Sequence, residues 1–312
     1  MRLLSFLARR LVHLVGVLLG ICLVTFLLLQ LAPGDPARLL VGEKAGPEAL
    51  AAVRERYGLD QPLWRQFASY VLNLLGGDIG LSIRFQRPVS DLIQSFMWPT
   101  LFLTGYVICL AVPPTVALAI MGARRPGSTA DQVIRIIGVA GLTIPVFWLG
   151  IMMSRFFGVE LGWFPVSGYG KTAVEHLHHL FLPALSTAIW LVPVLTQSLR
   201  AALIEKTTAD FVTAARAQGA GEREIFWSTI LPNAVLPTLN LLGVMIAFLI
   251  GGTIIVETVY AVPGLGSLMV NSLLGRDYYV VQGLTLVFAI STVLITLLID
   301  ILTAVIDPRV RA

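Results

Sequence analysis

The fold class this sequence predicts is all-α and polytopic: a membrane protein with six transmembrane helices and a structured loop outside the membrane. Three observations predict it. Of the 312 residues, 56% are hydrophobic and 13% charged, against a charged share of roughly 25% in soluble domains. Several apolar runs reach the length of about 20 residues that a helix needs to cross a hydrocarbon core of about 30 Å. The basic residues gather in alternate short loops, the pattern that sets membrane topology. A mean hydropathy of +0.84 agrees. In lipid every backbone polar group must be paired internally, so the apolar runs are helices.

The first run, Leu11 to Leu31, follows Arg2, Arg9 and Arg10. A secretory leader is the competing reading. The run is too long for a leader's apolar region, lacks an A-x-A site, and has Pro33 directly after Ala32. An uncleaved first span is therefore expected. The second span is read at Thr100 to Met121, containing Pro113 and Pro114. The third is read at Ile136 to Phe157, and the fourth at Phe181 to Leu199, with Pro183 and Pro193. The fifth runs from Leu236 to Val256 and the sixth from Val280 to Val305. Proline does not argue against helices here, because neighbouring helices re-satisfy the freed backbone groups.

Orientation follows from the short loops. Arg124, Arg125 and Arg135 lie between spans two and three. Arg200, Lys206, Arg216 and Arg223 lie between spans four and five, and Arg309 and Arg311 end the chain. The opposite loops offer Arg155, Lys171 and Arg276. Both termini and the 200–235 loop are thus expected in the cytoplasm. Residues 32–95 are expected outside, as a structured loop. Pro47 to Tyr57 reads as a short helix, with proline in its first turn and Gly58 after its end. Leu63 to Leu75 reads as a second, with Trp64, Phe67, Tyr70 and Leu74 at helical spacing and Gly76-Gly77 closing it. Val89 to Phe96 reads as an amphipathic lead into span two.

Several chemistries are tested against the residues and set aside. Cys22 and Cys109 both lie in apolar runs, which fits small buried residues rather than a disulfide framework. The pI of about 9.3 reflects loop arginines that set topology, so no nucleic-acid partner is expected. Gly168-Tyr169-Gly170-Lys171-Thr172 imitates the end of a phosphate-binding loop, but Pro165 stands where such a loop needs its first glycine. His176, His178 and His179 cluster before span four with no cysteine or acid to complete a metal site. Glu257 and Asp300 sit near span ends, not at the midplane position a proton-coupled transporter would use. Ser154 has no histidine partner for nucleophilic chemistry. No catalytic residue, metal or bound cofactor is expected.

The segment Thr207 to Pro237 is the most informative. Asp210 is expected to cap a short helix, Gly219 to end it, and Gly221-Glu222 to start a return helix that leads back to the membrane. A small-residue hairpin of this kind suits a groove on a partner protein; an ordinary surface helical hairpin is the alternative reading.

Here the sequence resembles the transmembrane subunits of binding-protein-dependent ABC importers, specifically the B-type permease of the dipeptide/oligopeptide class. That family carries a cytoplasmic motif of E-A-A, three residues, Gly, nine residues, then I-x-L-P. This chain has Thr213-Ala214-Ala215, then Gly219, then Leu231-Pro232, with Thr213 in place of the glutamate and Thr229 in place of the isoleucine. The peptide subfamily commonly reads T-A-R-A-x-G in this region. The resemblance covers nearly the whole chain: Pro33-Gly34-Asp35-Pro36, Gly58 to Leu63, Gly77 to Ser82, Glu257 with Pro263 to Gly266, Arg276-Asp277 and Asp307-Pro308-Arg309 occur in order. The segment before Gly168 resembles the family's L-P-x-S-G stretch.

The resemblance implies a type I ABC importer permease fold. Residues 1–99 would hold the first span and the outer helical loop. Residues 100–312 would form a five-helix core with a coupling loop at 200–235. It implies a bacterial inner-membrane complex with a homologous second permease, two cytoplasmic ATPase subunits that carry ATP and Mg, and an extracytoplasmic substrate-binding protein. Coupling to an ATPase would rest on Asp210, Phe211, Thr213, Ala214, Ala215, Arg216, Gly219, Glu222, Leu231 and Pro232. Docking of the binding protein would involve Arg54, Arg56, Asp60, Arg65, Arg276 and Asp277. Di- or oligopeptides are the expected solute. The alternatives are a nickel complex, glutathione, haem or an oligosaccharide, or a secondary transporter.

Overall fold

The computed structural model describes residues 15–27, 38, 46–57 and 60–306. The expected first span and the 32–95 loop lie only partly within them, whereas the expected sixth span, Val280 to Val305, lies within them. Arg2, Arg9, Arg10, Pro33 to Pro36, Gly58-Leu59 and Asp307 to Arg309 lie outside them. The described residues are helical apart from loops and one isolated bridge between Leu81 and Pro88.

In chain order the helices are α1 (Val15–Leu27), α2 (Pro47–Tyr57), α3 (Leu63–Leu75), α4 (Val89–Arg124), α5 (Thr129–Thr143) and α6 (Val146–Met153), which runs on as a π-helical turn over Ser154–Glu160. Next come α7 (Ala173–Thr207), α8 (Asp210–Ala217) and α9 (Glu222–Ile225), the last leading through a π-helical turn at Phe226–Ile230 into α10 (Leu231–Gly252). The chain closes with α11 (Ile254–Val259), α12 (Leu265–Leu274) and α13 (Tyr278–Ile306). Among the described residues, four helical stretches are long and apolar enough to cross a membrane: Val89–Arg124, Ala173–Thr207, Glu222–Val259 and Tyr278–Thr303. The bent pair α5–α6 makes a fifth if it counts as one span.

That pair covers the expected third span from Ile136 to Phe157 and breaks it. The two helices meet at 92°. Ile144 is extended (φ −81°, ψ 122°) and Pro145 opens the next helix, because a proline ring clashes with an α-helical conformation in the residue before it. Other prolines are absorbed: Pro99, Pro113 and Pro114 sit inside α4, and Pro183 and Pro193 inside α7. The expected lead-in at Val89 to Phe96 is continuous with the second span.

The chain forms two compact units. One comprises Met1–Trp98 and Leu268–Ser291; the other comprises Pro99–Ser267 and Thr292–Ala312. In the first, Val89, Leu92, Ile93, Val280 and Leu284 are buried. Gly283 lies against Ile79, Val89 and Ile93 so closely that a side chain there would collide with them. Phe26 of α1 packs on Phe67 and Tyr70 of α3 at ring separations of 5.5 and 6.1 Å.

The second unit is built around α7, the most enclosed of the long helices. Its face Leu180, Leu182, Ala184, Ala188, Leu191 and Leu195 joins Leu103, Val107, Ala111, Leu249, Val256 and Tyr260 in one apolar core. A smaller cluster at the far end of α7 joins Leu199, Ala202 and Leu203 to Ala119, Val212, Ile225, Ile230 and Ala234. This second cluster positions the site described next.

Candidate functional site

The hairpin α8–turn–α9 projects from the second unit on a narrow apolar base. Of the residues in α8 only Val212 is buried, at 0% exposure. Ile225, at 1%, is the matching residue on α9. Burying a side chain of this size contributes about 1.5–3 kcal/mol, so these two pegs hold the hairpin to Leu199 and Leu203 of α7. Asp210, Phe211, Thr213, Ala214, Arg216 and Ala217 remain exposed, while Ala215 is half-buried. Phe211 keeps 40% of its surface open. The result is a short ridge of small side chains flanked by an aromatic ring and charges.

The cap lies one residue before the expected one. Ala209 holds the cap position in an extended conformation, and Asp210 is the first helical residue. Its negative charge still lies at the end where the helix dipole favours it. The turn is closed by Gly219, whose φ of +85° is a backbone conformation that side-chain-bearing residues rarely adopt. Across this turn Arg216 donates Nε to Glu222 Oε1 at 2.6 Å and Nη2 to Oε2 at 3.1 Å. The paired carboxylate holds the Arg216 guanidinium above its ordinary pKa. Both partners are open to solvent, so the pair sets the hairpin's shape more than its stability. Leu231 and the exposed Pro232 lie at the start of α10, just past the π-helical turn. A displacement of α8 would thus act on α7 through Val212 and on α10 through the continuous return helix.

The residues expected to dock a partner on the other surface fall in the first unit. Arg54 and Arg56 lie on α2; Arg54 is exposed, as are Asp60, Arg65 and Arg276. Arg65 places its guanidinium 5.0 Å from the Trp64 ring. Asp277 has a different environment. It is fully buried and accepts from Ser82 Oγ at 2.6 Å and from the Arg84 amide at 3.1 Å. Arg276 beside it adopts φ 54°.

Two buried carboxylates in the second unit act as anchors: Asp131 escapes the sequence reading, which takes Glu257 as a packing or helix-end group. Asp131, at 0% exposure, receives both Nε and Nη2 of Arg200, the latter at 2.6 Å, and the Gly127 amide at 2.9 Å. This ties the start of α5 to α7. Glu257 accepts from Thr100 Oγ1 at 2.7 Å, Thr253 Oγ1 at 3.1 Å and the Ser267 amide at 3.0 Å. Its carboxylate fills the space where a Cβ on Gly264 would stand, which explains a glycine there by close approach.

The two decoys also have positions. Glu175, in the first turn of α7, accepts from the Lys171 amide at 2.7 Å, and Thr172 caps the helix. The chain's own carboxylate therefore sits where a phosphate-binding loop would hold its ligand. His176, His178 and His179 each place one ring nitrogen 2.7–2.9 Å from a backbone carbonyl, of Tyr169, Trp163 and Ser167 respectively. They staple the 163–169 loop to α7 and do not converge on a common point.

Comparison with known proteins matches the whole span of these features. The family described as "Binding-protein-dependent transport system inner membrane component" matches residues 115–312, and its N-terminal counterpart matches residues 3–119. The "Glutathione transport system permease protein GsiC" of Escherichia coli (strain K12) is 37% identical over 308 residues, covering 99% of each chain. The protein of the same name from Salmonella choleraesuis (strain SC-B67) is equally similar. Among solved structures, an inward-facing form of the MetNI methionine ABC transporter aligns with a TM-score of 0.53 at 21% identity, covering 69% of this chain and 96% of that one. An amino acid ABC transporter with histidines aligns with a TM-score of 0.52 at 16% identity, covering 69% and 94%. At these identities the structures share the fold.

Proposed function

The chain belongs to the family of binding-protein-dependent transport system inner membrane components, and from that premise, as an ABC importer permease subunit, we propose that it takes its energy from an ATPase partner through the α8 hairpin. The family is one of membrane transport components and not of catalysts. The observation that carries the proposal is the hairpin's construction: exposed small residues on one side, and two buried pegs leading to α7 and α10 on the other.

In this reading Asp210, Phe211, Thr213, Ala214, Ala215 and Arg216 enter a groove on a cytoplasmic ATPase. Gly219 and Glu222 keep the hairpin's shape, while Leu231 and Pro232 carry its movement into the membrane. ATP and Mg belong to the ATPase pair. The permease is a two-state element biased by that partner. A homologous second permease supplies the other half of the pathway.

The proposed topology has six spans with both termini in the cytoplasm. Residues 1–99 form the first span and outer loop, and residues 100–312 the five-helix core. The outer surface of the first unit, with Arg54, Arg56, Asp60, Arg65 and Arg276, receives a substrate-binding protein. Asp277, being buried, supports that surface from beneath. The proposed solute is a di- or oligopeptide; the alternative is glutathione, the solute named for the 37%-identical relatives.

The test is ATP-dependent uptake in cells or vesicles carrying the full complex. Replacing residues 210–222 by a flexible linker of equal length should abolish uptake while the chain still inserts and the complex still assembles. Intact uptake would rule the coupling assignment out.

A further inference from the structure

A cavity of about 340 Å³ opens between α4, α5 and α7 in the second unit. Its size falls in the range of roughly 300–1,000 Å³ typical of small-molecule sites. Its inner wall is apolar, formed largely by Leu110, Pro114, Ile134, Leu185, Ile189 and Val192. Thr196, Gln197, Arg135 and Arg200 also line it, on the turns of α5 and α7 nearest the Asp131–Arg200 pair. Thr196 is 3% exposed, and its Oγ1 has no hydrogen-bond partner. Arg200 is neutralised by the bidentate contact with Asp131. Arg135 is exposed and forms no ion pair among the described residues, so one uncompensated positive charge stands at the mouth. Arg124 and Arg125, also exposed, close the preceding helix and begin the short loop into α5.

We propose that this cavity binds an anionic phospholipid, with an acyl chain along the apolar wall and the phosphate at Arg135 and Gln197. An apolar slot alone would accept any lipid tail. The charge asymmetry selects the headgroup, since basic pockets between transmembrane helices attract anionic lipid phosphates. Arg200, which lines the mouth, directly follows Leu199, a member of the cluster that seats Val212. A lipid held there would brace the end of α7 from which the hairpin projects. The binding itself does not depend on how that hairpin is used.

The test uses the full-length chain purified in mild detergent, with native mass spectrometry counting phosphatidylglycerol and phosphatidylcholine adducts. The wild-type chain should retain phosphatidylglycerol preferentially. Arg135→Glu, at an exposed position that leaves packing intact, should weaken phosphatidylglycerol retention by about tenfold and leave phosphatidylcholine unchanged. Ile137→Trp, which fills the mouth from a residue 65% exposed, should lower both. Equal retention of the two lipids by the wild-type chain, or unchanged phosphatidylglycerol in both variants, would overturn the proposal. So would a Gln197→Cys probe that cross-links to a partner subunit in the assembled complex, because the mouth would then be covered by protein.

Discussion

Glu257 shows how much a single side chain organises in this molecule. Its carboxylate gathers donors from Thr100, Thr253 and Ser267, so it fixes α4, α11 and the turn into α12 together. Removing it would leave buried donors unpaired, at about 1–3 kcal/mol for each. Glu257→Ala should therefore lower the thermal unfolding midpoint in detergent markedly, while Glu257→Gln, which keeps an acceptor, should lower it less. Gly266→Ala should destabilise by about 1–3 kcal/mol through overpacking, because the added Cβ would stand 2.5 Å from Ile254 Cα. A midpoint unchanged in Glu257→Ala would show that the carboxylate is not structural. The sequence marked Glu257 as a packing or helix-end group but did not reveal its partners. Its partner Thr100 lies 157 positions away, and no local pattern encodes that pairing. Asp131 and Arg200, 69 positions apart, were hidden for the same reason.

Individual elements were legible wherever one residue acts as punctuation. Helices at Pro47–Tyr57 and Leu63–Leu75 have the bounds that proline and glycine signals indicate. The helices α4 and α7 overran their expected ends, Met121 and Leu199, by several residues, since nothing in a uniformly apolar run marks where a helix leaves the membrane. Pro145 was the opposite case: one proline among many, and the one whose neighbour went extended. In the hairpin, Gly219 and the Glu222 start were readable. The anchoring role of Val212 was not, because a lone valine in a run of small residues has no period to place it. Two consequences belong to this scale. Val212→Ala should cost about 2 kcal/mol and loosen the hairpin, read as faster proteolytic nicking between residues 210 and 222. Gly219→Ala should do the same through strain at φ +85°, about 1–2 kcal/mol for an L-residue in that region. Nicking at the wild-type rate in both variants would mean the hairpin is not held by these features.

At the scale of the whole molecule, the chain is a permease subunit with its own core and with surfaces shaped for others. The fold class was legible from composition and run length, because lipid leaves helices as the only economical answer. Family membership was legible from ordered short motifs, each weak alone. The solute was not legible, because no motif in the sequence carries the chemistry of a particular solute. The proposed function rests instead on a mechanical input at the ridge of α8. Its most direct test is proximity under turnover. Ala214→Cys, at an exposed position on α8, should form a cross-link to the ATPase subunit in the assembled complex, and locking that link should stop ATP-dependent uptake. A cysteine at this position that never reaches the ATPase, in a complex that still transports, would contradict the account.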